Sequence, residues 1–274
     1  VSPPPRTADL AHRLVDLSLD DADRIAALAQ ALPAGAAISR RTAAALHGFH
    51  VFSHRERHER LPLECTVPRG AERVRRPGVL SCTSTLRGDV TSLGGLPVTT
   101  VQRTVLDIAR YCVPDVAIAM LDRALRQGLR DRDDLLDRLE EVRGDRGVGQ
   151  ARHLLRAADA GSESPGESAC RLRLVDAGFD RPQTQIRVER PNGRHYRLDT
   201  GWEERRLAVE YDGFEPHAGP VAFARDTRRR AWLAGQGWTV LVAHSGHVFG
   251  RAMDLELAVG EILGVAPRNR RRTW

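Results

Sequence analysis

The strongest constraint on the fold is a hairpin signal. Asn192-Gly193 lies between two runs with strand character, Thr184–Glu189 and His195–Trp202. Asn-Gly adopts the positive backbone angles of a two-residue turn at little cost, so the spacing predicts two antiparallel strands joined there. Signals on either side extend the pattern. Ser164-Pro165-Gly166-Glu167 reads as a capping box with Pro at the first helical position, opening a helix to Ala177 that Gly178 stops. Leu207–Asp212 reads as a third strand, Pro220–Ala234 as a helix, Trp238–Val242 as a fourth strand and Asp254–Leu263 as an amphipathic helix. The order after residue 164 is therefore α-β-β-β-α-β-α.

The preceding residues alternate in character. Residues 1–7 read as a leader, and 8–32 carry apolar residues at helical spacing. Ser39 can cap a short helix to Leu46. Residues 61–101 hold short β-like runs (LECTVP, GVLSCTST, LPVTTV) between Gly and Pro turns. Three helices follow, the first with Asp115 as cap and Gly128 as stop, the second from Asp131 to Gly144, the third over Val148–Ala158. Residues 159–166 (DAGSESPG) are small and polar, and mark a boundary. The expected organisation is an α+β domain over 1–158, an α/β domain with a mixed sheet over 159–266, and a basic tail over 267–274.

Composition narrows the chemistry. The 42 basic residues are all Arg, and no Lys occurs. That excludes Schiff-base chemistry and a phosphate-binding loop of the Lys-dependent kind. The formal charge of +6 fits a polyanionic partner; Arg-rich compositional drift explains it equally well. Four scattered cysteines without a CxxC argue against a zinc ribbon or a disulfide scaffold, and fit a reducing cytoplasm. No membrane-length apolar run and no signal peptide are visible.

Within the second domain, three carboxylates attract attention. Side chains alternate along a strand, so Glu210 and Asp212 are expected on one side, and Asp199 near the end of the preceding strand. Converging carboxylates repel one another unless a cation sits among them, and oxygen-only ligands favour Mg²⁺ or Mn²⁺. Such an ion would serve phosphodiester hydrolysis. His217 follows in a Gly-rich turn and is a candidate proton shuttle. Glu167 is a candidate fourth carboxylate, although its capping box accounts for it without catalysis. Arg225, Arg228 and Arg229, with Asp226, lie on the following helix; they read either as phosphate contacts or as a solvated face.

Two resemblances sharpen this. Asp199…Leu207-Ala-Val-Glu210-Tyr-Asp212-Gly213…His217…Asp226…Arg229, then Gly237-Trp238-Thr-Val-Leu241, resembles the PD-(D/E)xK, restriction-endonuclease-like domain of unknown function related to very-short-patch mismatch repair endonucleases, over residues 160–266. The resemblance implies an αβββαβ core, a metal bound by the strand Asp, and catalysis involving the residue at the place of His217; on the carboxylate reading, Asp199 and Glu210 are the expected metal ligands, with Asp212 and Glu167 completing the acidic shell. Two departures stand out: Glu-x-Asp replaces Glu-x-Lys, and Val242 stands where an Arg is frequent. Upstream, Ile38-Ser-Arg-Arg-Thr-Ala-Ala-Ala-Leu-His-Gly48, Thr66-Val-Pro-Arg-Gly70 and Gly95–Ala109 resemble AbiEi-type antitoxin-like proteins of actinobacteria. Those frequently begin with a DNA-binding winged helix, for which residues 1–35 are too short.

The expected function is a Mg²⁺-dependent DNA endonuclease or nickase; the alternative is a non-catalytic DNA-binding or antitoxin-like regulator with a nuclease fold as scaffold. DNA and a toxin–antitoxin or repair protein are the expected partners. His47, His50, His54 and His58 invite a metal reading but span a helix end. Trp202, Trp232 and Trp238 read as core anchors. Arg268, Arg270, Arg271 and Arg272 read as a disordered basic tail.

Overall fold

The computed structural model describes residues 19–49, 52, 53, 56, 60–129, 131–213 and 220–268. The chain divides into two compact units, Val1–Arg156 and Ala157–Trp274. Each is an α/β unit built on a mixed sheet.

In the first unit, helix α1 (Leu19–Gln30) precedes β1 (Ala37–Ile38) and α2 (Arg40–Leu46). Four strands follow: β2 (Leu63–Val67), β3 (Val79–Thr83), β4 (Val90–Leu93) and β5 (Leu96–Thr99). Helices α3 (Val101–Tyr111), α4 (Pro114–Arg126), α5 (Arg132–Glu140) and α6 (Val148–Ala157) complete it. The sheet order is β3-β2-β1-β5-β4. Ala22, Ile25 and Leu28 of α1 lie at helical spacing and bury against Ile38, Leu63 and Val98 of the sheet. β1 has two residues, too short for a periodic signature to reveal it.

The antitoxin-like strings of this unit are structural in their contacts. The Ser39 side chain does not cap α2; it accepts a hydrogen bond from Thr66 Oγ1 at 2.8 Å. The cap comes from β2 instead, where Glu64 Oε2 accepts from the Arg41 N–H at 2.8 Å. On α3, Arg103 donates to Asp107 (2.9 Å) and Asp89 (3.0 Å), and Arg138 of α5 pairs with the same Asp89 (2.9 Å). His47 contacts the Thr99 carbonyl through Nε2 at 2.8 Å, and burial lowers its pKa. His50, His54 and His58 lie outside the described residues.

In the second unit, α7 (Pro165–Asp176) leads into β6 (Gln183–Glu189), β7 (His195–Trp202) and β8 (Leu207–Tyr211). Then come α8 (Pro220–Gly235), β9 (Thr239–Ala243), α9 (Ser245–Phe249) and α10 (Asp254–Leu263). The sheet order is β6-β7-β8-β9, antiparallel except for the parallel β8–β9 pair. The expected α-β-β-β-α-β-α order is present, with α9 as an addition. Two apolar clusters cover the sheet. Leu207 and Val209 of β8 pack with Ala169, Cys170 and Leu174 of α7. Ala208, one residue out of phase, packs with Leu233 of α8, Trp238, Ile186 and Leu198. Trp238 is a core anchor as expected, and Trp202 and Trp232 pack partly buried at the cluster edges. Arg173 is buried on α7, where it donates to the Val248 carbonyl (3.0 Å) and Glu256 (2.9 Å), tying α7 to α9 and α10.

The hairpin carries a correction. The expected two-residue turn is a three-residue loop of Pro191, Asn192 and Gly193. The Arg190 N–H donates to the Arg194 carbonyl (2.7 Å) and the Gly193 N–H to the Arg190 carbonyl (3.0 Å). Gly193, at φ 74°, supplies the left-handed residue that such a loop requires. A two-residue turn would set Ile186 across from Asp199. The pairs Thr184–Thr200 and Ile186–Leu198 instead leave Gln185 across from it. A one-residue change in register changes every cross-strand partner.

Candidate functional site

The candidate site lies where β7 and β8 cease to pair. Their ladder runs Trp202–Leu207, Gly201–Ala208, Thr200–Val209 and stops. The next residue, Asp199, places its carboxylate where a strand carbonyl would be: Oδ2 accepts the Tyr211 N–H at 3.0 Å. Gln185, its neighbour in β6, has φ 53°. A non-glycine residue there bears about 1–2 kcal/mol of strain. The pleat resets at this point. Leu198 and Tyr196 pack with the α8-side cluster, while Trp202 packs with the α7-side cluster, although even spacing alone would put all three on one face.

The carboxylates have different surroundings. Burial raises the Asp199 pKa to about 7, and the negative charges of Glu167 and Glu210 add to the rise; the Tyr211 N–H and Arg229 oppose it. Glu210 shares the Ala208 phase and so the α8 side of the sheet. Arg229 of α8 grips it with both terminal nitrogens, Nη1 donating to Oε2 at 2.7 Å and Nη2 to Oε1. Arg229 Nη2 also donates to the Arg197 carbonyl at 3.0 Å, and the guanidinium lies 5.5 Å from the centre of the Tyr196 ring. Asp212, just beyond β8, is exposed and continues the ladder through its N–H to the Ala243 carbonyl at 2.9 Å.

Glu167 is brought close by α7. Ser164 Oγ accepts the Glu167 N–H at 3.2 Å, as the capping motif predicts. Its carboxylate does not return to Ser164; Oε2 accepts the Glu163 N–H (2.9 Å) and Gln185 Nε2 (3.3 Å). Gly166 permits the approach, because a Cβ there would stand 1.9 Å from Cε1 of the Tyr211 ring.

Asp199, Glu210 and Asp212 line one open groove of about 770 Å³, together with Arg225, Arg229 and Arg230. Val242 of β9, paired with Glu210, forms an apolar part of its wall, so the positive charge comes from α8 and from Arg197 of β7, and not from β9. Glu167 and Arg228 are not among the lining residues; Arg228 is exposed and its Nε turns back to the Ala224 carbonyl at 3.2 Å. His217 lies outside the described residues. Among the described residues no group of three or more His, Cys, Asp or Glu side chains could hold a metal ion. Both Glu210 oxygens are committed to Arg229, so the residues as arranged do not fit the divalent ion that the sequence suggested.

Gln185 and the pairing of Arg229 with Glu210 were not foreseen. Gln185 does not line the groove; its Nε2 donates to Glu167, and its Oε1 is buried without a hydrogen-bond partner, a sign of local constraint. The hairpin register would have found it, had the loop length been read correctly.

Fold and groove define a two-unit α/β protein whose second unit carries a groove of carboxylates interlocked with arginines. The chain belongs to the family of the AbiEi antitoxin C-terminal domain, whose model matches residues 10–157, most of the first unit. It is similar to two proteins of Mycobacterium tuberculosis, the uncharacterised protein Rv2248 of strain H37Rv and the uncharacterised protein MT2308 of strain CDC 1551. Each is 39% identical over 138 residues, which covers 50% of this chain and 51% of the relative. The chain thus spans about half the length of these relatives. No solved structure matches it, and no nuclease family does. No helix among the described residues is long and apolar enough to cross a membrane.

Proposed function

We propose that this protein is an antitoxin-like regulator that binds DNA without cutting it, its second unit serving as a nuclease-like scaffold. The observation that carries the reading is the bidentate grip of Arg229 on Glu210, in a chain whose first unit belongs to the AbiEi antitoxin family. Arg225 and Arg230 of α8 border the groove beside Arg229, where phosphate oxygens can accept from them. The family description suggests a toxin protein as a second partner.

A second reading, a Mg²⁺-dependent endonuclease or nickase, is favoured by one observation: Asp199, Glu210 and Asp212 line the same groove. It requires Arg229 to leave Glu210. The two readings separate on supercoiled plasmid. The regulator binds duplex DNA in EDTA and leaves plasmid supercoiled with Mg²⁺ or Mn²⁺. Nicking by the pure protein that Asp199→Ala abolishes would establish the enzyme instead.

A further inference from the structure

We infer that Arg229 is a built-in cation that closes this groove to divalent metal. The inference rests on the regulator reading of the same groove and gives its physical reason. A divalent ion needs carboxylate oxygens with free lone pairs. Arg229 takes one oxygen of Glu210 with each terminal nitrogen, in the fork geometry that suits a carboxylate. The guanidinium is fixed from other directions as well: Nη2 donates to the Arg197 carbonyl, the Tyr196 ring lies against it, and Asp226 Oδ1 stands 3.8 Å from Nη1. Both partners are largely shielded, at 20% and 14% side-chain exposure, so solvent competes weakly for either. A second cation entering beside the guanidinium meets its repulsion and finds Glu210 already neutralised.

The test is Mn²⁺ titration of the full chain, followed by the electron paramagnetic resonance signal of free Mn²⁺. The wild type and Arg229→Lys, which keeps the charge, show only weak binding. Arg229→Gln gains one site, tighter than the wild type by at least about tenfold. The double variant Arg229→Gln with Glu210→Gln loses that site again. Thermal unfolding checks that Arg229→Gln is folded; Arg229→Met, which still packs on Tyr196, replaces it if it is not. Equal binding by wild type and Arg229→Gln overturns the inference, as does a folded Arg229→Gln or Arg229→Met that gains no site. Plasmid nicking is a separate readout, so failure of the regulator reading is seen independently of this result.

Discussion

Asp199 is a carboxyl group whose proton is held by its surroundings. Its pKa is about 7 in the folded chain against an ordinary value of 3.8. Between these values the native state binds more proton than the unfolded chain, so stability falls as pH rises across that window. The contribution of Asp199 is complete below about 3.8 and is lost as pH passes through about 7. Asp199→Asn stays neutral and can still accept the Tyr211 N–H. We expect the melting temperature of the wild type to fall relative to Asp199→Asn between about pH 5 and pH 8, by several degrees for each ~1 kcal/mol lost. Melting curves that stay parallel across that range would remove burial and neighbouring charge as the cause.

At the scale of elements, the site exists because α7 docks closely on the end of β8. That approach depends on Gly166, which leaves room for the Tyr211 ring. Gly166→Ala forces the ring or the helix to move, at a cost of roughly 1–3 kcal/mol. The expected result is a lower denaturant midpoint with an unchanged slope. Because the helix start also carries Glu167, the variant should bring the Asp199 pKa down as well. A variant with unaltered midpoint would show that α7 does not seat on Tyr211 as described. The other constraint on this level is Arg173, which ties α9 through the Val248 carbonyl and α10 through Glu256 to the same helix.

For the molecule as a whole, charge is the relevant property. A net +6 whose basic side is entirely arginine, with four arginines lining one groove, predicts DNA affinity that falls steeply with salt. Replacing Arg225 or Arg230 with Ala should weaken binding of a duplex across unrelated sequences. Each arginine that pairs with a phosphate should reduce the logarithmic salt slope by about one when it is removed. Fluorescence anisotropy from low to physiological salt measures it. A slope near zero for the wild type would mean that the high isoelectric point reflects composition and not a nucleic-acid surface.

The element order was legible in the sequence, because caps, glycine stops and apolar periods are local signals. Thus α7, β7 and α10 begin and end at or within a residue of where Ser164, Gly178, Trp202 and Asp254 placed them. The shared groove of Asp199, Glu210 and Asp212 was legible too, since it needs only adjacent strands. What the sequence could not supply was the phase of the hairpin and the occupant of the groove. A loop of three residues in place of two moves every cross-strand partner, and a left-handed Gln185 resets the alternation that face assignments assume. Arg229 meets Glu210 only when α8 folds back over the sheet, and no spacing along the chain reveals which carboxylate a helix arginine will reach. Local stiffness wrote the elements into the sequence; packing between distant segments decided which charge neutralises which.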